Sequence, residues 1–86
     1  MSLSAGVDDS VMDTGQIVQL ARQLRRENNS VSASRVLMEA LRCSPAAAEL
    51  YAELGLALFG LGLMERAVKA LEQAVRLEPS VPHYQL

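Results

Sequence analysis

Three arginines recur at helical spacing in the first third of this sequence: Arg22, Arg25 and Arg26, with Gln19 one turn ahead of them. Side chains three and four residues apart lie on one face of a helix. A guanidinium group binds a carboxylate through two parallel hydrogen bonds. The spacing therefore indicates a surface that binds acidic groups of a partner or, as the simpler interpretation, the solvated face of an amphipathic helix.

Residues for covalent or metal chemistry are few. The chain has one cysteine, Cys43, and one histidine, His83, so no Cys/His cluster has the spacing of a metal site. No glycine-rich loop has a phosphate-binding pattern. We expect Cys43 to be packed as a small hydrophobic residue, and we predict no enzymatic activity, no catalytic residue, no metal and no cofactor. A single cysteine excludes an intramolecular disulfide, which favours a reducing, cytoplasmic location.

Composition narrows the class further. The chain has 86 residues, a net charge of −2, 50% apolar residues and 3% aromatic residues. Because nucleic-acid-binding domains are usually basic, no nucleic acid is expected as a partner. The uncharged run from Leu54 to Met64 is shorter than the roughly 18 residues of a membrane span, so no membrane partner is expected either. The acidic residues 1–13 lack periodicity, and we interpret them as a flexible leader.

Apolar residues at intervals of three and four predict an all-α chain of four helices, over residues 14–27, 30–43, 45–61 and 64–77. Asp13 with Gln16 forms a capping-box pattern at the first helix. Asn28 suits the left-handed end of that helix. Ser30 is the predicted N-cap of the second helix. Pro45 is placed in the first turn of the third helix, with Ser44 as its cap.

The sequence repeats after 34 residues without an insertion. Small residues, turn residues and prolines coincide in this single register, which chance alignment of two amphipathic helix pairs does not explain. The matching pairs include Leu20/Leu54, Leu24/Leu58, Ala33/Ala67, Leu37/Leu71, Ala40/Ala74, Arg42/Arg76 and Pro45/Pro79.

This unit resembles the tetratricopeptide repeat. The second copy has the family's spacing at Tyr51, Leu54, Gly55, Leu58, Ala67, Leu71, Ala74 and Pro79, whereas the first copy departs from it at Ile17, Ala21 and Asn28. The resemblance implies two helix–turn–helix hairpins, a fragment of an α-solenoid, at residues 14–47 and 48–79, with residues 80–86 as a tail or the start of a third repeat. Because solenoids normally need about three repeats, we expect an excerpt of a longer array or a chain that covers its open end by self-association.

The resemblance also implies a function. In this family the first helix of each repeat lines a concave surface, so a non-enzymatic protein-interaction or scaffold module is expected, with a groove that binds an acidic peptide segment carrying an apolar anchor. The predicted groove residues are Gln19, Arg22, Arg25, Arg26, Glu53, Leu56 and Phe59. Members that clamp C-terminal carboxylates of chaperone tails use Lys and Asn. Val18, Arg22 and Glu53 stand at the candidate positions here, which argues against that ligand.

Two alternatives stay open. The third helix is apolar nearly all round, and Leu56, Phe59, Leu61 and Leu63 are the expected exposed apolar residues. Such a patch commonly marks an interface, so the chain could be a homo-oligomerisation module with Leu61 and Leu63 at its interface; in the opposing interpretation these residues pack under the leader or the tail. The other alternative is an accessory segment of a larger multidomain enzyme.

Overall fold

The computed structural model describes residues 13–80, and within them it contains four α-helices and no strand. These are α1 (Thr14–Arg26), α2 (Ser30–Cys43), α3 (Ala48–Gly60) and α4 (Met64–Leu77). The predicted all-α class and the two helical hairpins are confirmed. The predicted leader, apart from Asp13, and the end of the tail, residues 81–86, lie outside the described residues.

The two hairpins turn in the same way. Asn28 at φ 64° and Gly62 at φ 79° occupy the left-handed region at the ends of α1 and α3. The next amide in each case donates to a carbonyl five residues back, Asn29 to Leu24 at 2.8 Å and Leu63 to Leu58 at 3.0 Å. This is the Schellman arrangement, which ends a helix where Gly or Asn tolerates positive φ. Both turns therefore separate the helices where the sequence predicts.

The helix starts confirm one predicted cap and correct two. Asp13 Oδ1 accepts from the Gln16 amide at 2.8 Å and Gln16 Oε1 accepts from the Asp13 amide at 3.0 Å, so the capping box is present. The prediction of Ser30 as N-cap is wrong. Asn29 caps α2 instead, its side chain accepting from the Ser32 amide at 3.3 Å, because the amide oxygen of Asn makes the same bond that a Ser hydroxyl would.

The predicted start of the third helix at Pro45 is also wrong. Pro45 lies in a turn, closed by the Ala47 amide donating to the Ser44 carbonyl at 3.2 Å. Proline is favoured at the second position of such a turn as well as in a first helical turn. Helix α3 consequently begins at Ala48, and Ser44 does not cap it.

Helix α3 is the centre of the molecule, because it contacts α1, α2 and α4. Leu50, Leu54 and Leu58 pack with Val18 of α1 and Leu37 of α2 in the main core cluster. On its other side, α3 approaches α4 closely at Gly55, where an added Cβ would lie 2.7 Å from Leu71 Cγ and 3.2 Å from the Ala67 carbonyl oxygen. The small residues predicted to permit close helix approach do so here. An apolar helix packed on three neighbours explains the near-uniform hydrophobicity of α3.

Candidate functional site

The arginines of α1 meet α3 at a buried carboxylate. Glu53 is 4% exposed. Its Oε2 accepts from Arg22 Nε at 3.0 Å and lies 2.9 Å from Arg22 Nη2, and its Oε1 lies 3.3 Å from Arg25 Nη2. We call Arg22, Arg25 and Glu53 the Arg–Glu cluster. It joins the two hairpins through charge-assisted hydrogen bonds, which are stronger than neutral ones.

Three of the predicted groove residues bind one another in this cluster and are therefore less available to a partner. The Glu53 carboxylate is buried under the two guanidinium groups, so its charge is already paired within the chain. Arg25 is half-buried, and its Nε is buried without a hydrogen-bond partner among the described residues. Arg22 retains a side chain that is 45% exposed. Arg26 is exposed and forms no ion pair within residues 13–80.

Apolar side chains continue the same surface beyond the cluster. Leu56 lies one turn after Glu53 on α3, and Phe59 lies one turn further; they are 41% and 54% exposed. Residues three apart share a helix face. We define the α1–α3 surface as Arg22 of the cluster together with the exposed residues Gln19, Arg26, Leu56 and Phe59. The structure thus brings Arg22 and Arg25 onto Glu53, and helical spacing places Leu56 and Phe59 after Glu53 along α3.

The remaining predicted apolar residues lie at the end of α3. Leu61 is 37% exposed and Leu63 is 40% exposed, in the turn between α3 and α4. The expected exposure of both is confirmed, and so is that of Leu56 and Phe59. Their role in an oligomer interface stays a prediction. Met64 and Val68, 50% and 38% exposed, extend this apolar region along α4 and were not predicted.

A groove that the sequence analysis missed lies on the N-terminal side of the first hairpin. It encloses about 840 Å³. Its apolar lining comes from α1, α2 and α3, namely Ile17, Leu20, Val36, Ala40, Cys43 and Leu50. Three charged residues, Asp13, Arg35 and Glu39, also line it. Val36, Ala40 and Cys43 are spaced as a second apolar stripe on α2, which is the pattern that predicts such a surface.

Cys43 corrects another expectation. It was predicted to be packed, but it is exposed at the end of α2. Within the described residues no further helix covers that side of α2, which explains why the Cys43 side chain is exposed and not packed. His83 lies outside the described residues. No group of three or more potential metal ligands occurs in the part of the chain that the structure describes. Among the same residues, no helix has both the length and the hydrophobicity that crossing a membrane requires.

Comparison with known proteins agrees with this geometry. The family model described as tetratricopeptide repeat matches residues 48–81, the part of the chain that contains the second hairpin, and the four helices are consistent with repeats of this type. The match starts at the first residue of α3 and includes α4.

Tetratricopeptide repeats generally mediate protein–protein interactions and are typically non-enzymatic scaffolds. No curated protein and no solved structure gives a significant match to the chain.

Proposed function

We propose that the α1–α3 surface docks a peptide segment of a protein partner, with the arginines binding an acidic residue and the leucine and phenylalanine receiving an apolar anchor. The observation that carries this proposal is the adjacency of two chemistries. Arg22 is 45% exposed where it covers Glu53, and Leu56 is 41% exposed one helical turn away. A peptide lying across both helices would reach both groups.

Burial of the apolar anchor supplies most of the affinity in this mechanism, since exposed arginines contribute mainly orientation and association rate. Arg26 is the arginine best placed for an incoming carboxylate, because Arg22 and Arg25 already bind Glu53. Helices α1 and α3 are held by the packed core beneath them. Docking onto such a rigid surface costs little ordering of the protein.

The test measures binding of labelled ten-residue peptides by fluorescence anisotropy. One peptide carries two Asp residues beside a Leu and a Phe, and matched peptides replace either the acids by Asn and Gln or the apolar pair by Ser. We expect the complete peptide to bind best, more weakly at higher salt because exposed charges are screened. Arg26→Glu and Leu56→Asp should each weaken it about tenfold, equivalent to about 1.4 kcal/mol.

Two variants on α2 serve as controls. Arg42→Glu changes an exposed arginine away from the α1–α3 surface, and Met38→Asp changes a residue that is 48% exposed. Both should leave the affinity unchanged. Failure of all acidic-apolar peptides to bind, or equal losses in the control variants, would contradict the proposal.

Self-association is the second candidate, favoured by the exposure of Leu61 and Leu63 at 37% and 40%. Sedimentation equilibrium over a wide concentration range tests it. A dimer that Leu61→Asp with Leu63→Asp converts to monomer is the expected result for this candidate, and a monomer at all concentrations contradicts it.

A further inference from the structure

The two ends of the helical stack differ in polarity. At the N-terminal end, α1 has Gln16, Gln19 and Gln23 where α3, 34 residues later, has Leu50, Glu53 and Ala57. All three glutamines are exposed, whereas the α3 residues are 1%, 4% and 0% exposed. A polar outer face is typical of a repeat that caps a solenoid. The outer face of α1 therefore has the character of a cap.

The opposite end is apolar. Helix α4 has Met64 and Val68 at the positions where α2 has Ser30 and Ser34. Ser34 is 5% exposed, but Val68 is 38% exposed and Met64 50% exposed. Phe59, 54% exposed, lies at the adjacent end of α3. We call Phe59, Met64 and Val68 the open end.

The first hairpin shows what this kind of surface binds. Val18 of α1 and Leu37 and Leu41 of α2 pack in one cluster with Leu50 and Leu54 of α3. The first hairpin thus forms a helix-binding surface, which we call the seat, and α3 occupies it.

The same shift of 34 residues carries this seat to the second hairpin. Its counterparts there are Ala52, Leu71 and Val75, which belong to one apolar cluster. Val75 is half-buried and packs against the buried residues of this cluster. The second hairpin therefore repeats the helix-binding surface of the first, with the open end as its exposed margin.

The charge at the two seats is different. In the first seat the Glu53 carboxylate of the bound helix is paired with Arg22 and Arg25. In the second seat the counterparts of these arginines are Leu56 and Phe59. A carboxylate brought against these two side chains would lose water without gaining a positive charge, which is strongly unfavourable.

We propose that the open end binds an α-helix of another protein, about 13 residues long like α3, and that this helix is apolar where α3 has Glu53. The other contacts follow the α3 pattern, with apolar side chains at the positions of Leu50, Leu54, Ala57 and Leu58. The interaction continues the interface already present between the hairpins, and it shares Leu56 and Phe59, but not Arg26, with the peptide docking proposed above.

A second copy of this chain does not offer such a helix. The apolar stripe of α1 packs within its own hairpin, and its outer face has Gln16, Gln19 and Gln23 where the α3 pattern requires Leu, an apolar residue and Ala. Stacking one chain head to tail on another would place these glutamines on the apolar seat. A helix from a different protein fits the chemistry better.

The test uses two labelled helical peptides and the full chain. Both peptides keep the four apolar residues of the α3 pattern and have Lys or Gln at the remaining positions. One has Leu at the Glu53 position, the Leu probe, and the other has Glu there, the Glu probe. We expect the Leu probe to bind at least tenfold more tightly in fluorescence anisotropy, and Leu56→Arg with Phe59→Arg to reverse this preference.

Val68→Asp should weaken the Leu probe at least tenfold, whereas Met38→Asp, the same kind of change on exposed α2, should leave it unchanged. Arg26→Glu should spare the Leu probe although it weakens the acidic peptide, so the two proposals fail separately. Absence of Leu-probe binding, equal affinity for both probes, or an unchanged preference in the double-arginine variant would overturn the proposal.

Two further outcomes identify a different occupant, and each overturns the proposal. Probe binding that requires removal of residues 81–86 would assign the seat to the chain's own C-terminal residues. A homodimer in sedimentation equilibrium that Val68→Asp dissociates would assign it to a second copy. A monomeric full chain that binds the Leu probe supports a helix of another protein.

Discussion

Removing both arginines of the Arg–Glu cluster isolates the energetic role of a buried charge. In the double variant Arg22→Ala with Arg25→Ala, the Glu53 carboxylate would stay 4% exposed in the present packing but lose both partners. Leaving one member of a buried pair uncompensated costs about 3–5 kcal/mol. A domain of this size is stable by only about 0.05–0.15 kcal/mol per residue. We therefore expect the double variant to lose a large part of its folding free energy.

The single variants should be milder, and a neutral third substitution should restore stability. Arg22 and Arg25 side chains are 45% and 28% exposed, and either one still pairs with Glu53 when the other is absent. We expect about 1 kcal/mol for each single change, the upper part of the range for exposed pairs. Adding Glu53→Gln to the double variant removes the uncompensated charge and should recover about half of the loss, because a neutral amide costs less to bury.

Urea denaturation followed by circular dichroism at 222 nm measures these differences. With a slope of about 1 kcal/mol per molar urea for a small domain, the double variant should shift the midpoint down by about 3 M or be unfolded in buffer. Non-additivity is the diagnostic feature, since the two single losses should sum to less than the double loss. A double variant within 1 kcal/mol of the parent, or a triple variant no more stable than the double variant, would refute this account.

Three backbone and capping predictions use the same denaturation assay. Gly55→Ala should lower the free energy of unfolding by about 1–2 kcal/mol, because the new Cβ meets Leu71 Cγ at 2.7 Å and overpacking exceeds the gain in helix propensity. Gly15→Ala is the matched control. Its Cβ meets nothing closer than 3.5 Å, so it should not destabilise the chain. Gly62→Ala should lose about 1 kcal/mol, since φ is 79° there, and an unchanged midpoint would contradict the left-handed turn. Asp13→Ala should lose about 1 kcal/mol by removing the capping box, and a variant as stable as the parent would show that the cap is unimportant.

Local chemistry accounts for what the sequence predicted well. Asn28 and Gly62 are the residue types that tolerate positive φ, and both turns occur at these residues. The capping box at Asp13 likewise depends only on residues within one turn. Pro45 was misplaced for the same kind of reason, because a proline satisfies a helix start and a β-turn equally well. The choice between them depends on how the second hairpin packs, which one local segment does not determine.

Contacts between hairpins were harder to predict. The Arg–Glu cluster joins residues 28 and 31 positions apart. The sequence analysis placed all three residues in the groove but did not predict that they pair. A signal was present, since a carboxylate on an almost wholly apolar helix requires a counter-charge. The exposure of Cys43 and the groove beside it depend on whether another helix covers the first hairpin, and helical periodicity alone does not decide that.

Comparison of the two repeats separates the residues that build the hairpin from those available to partners. Ala33 and Leu37 coincide with Ala67 and Leu71, and all four are buried. The pairs Arg22/Leu56, Arg25/Phe59 and Gln19/Glu53 differ in charge or polarity. Three of these residues, Arg22, Arg25 and Glu53, pair where α1 meets α3.

A fold maintained by repetition leaves such positions free to vary, because hairpin packing does not require a particular side chain there. Their variation gives arginines on α1 and apolar residues at the matching positions of α3. It also removes the counter-charge that a third helix like α3 would need. Both proposed interactions therefore depend on the positions at which the second repeat departs from the first.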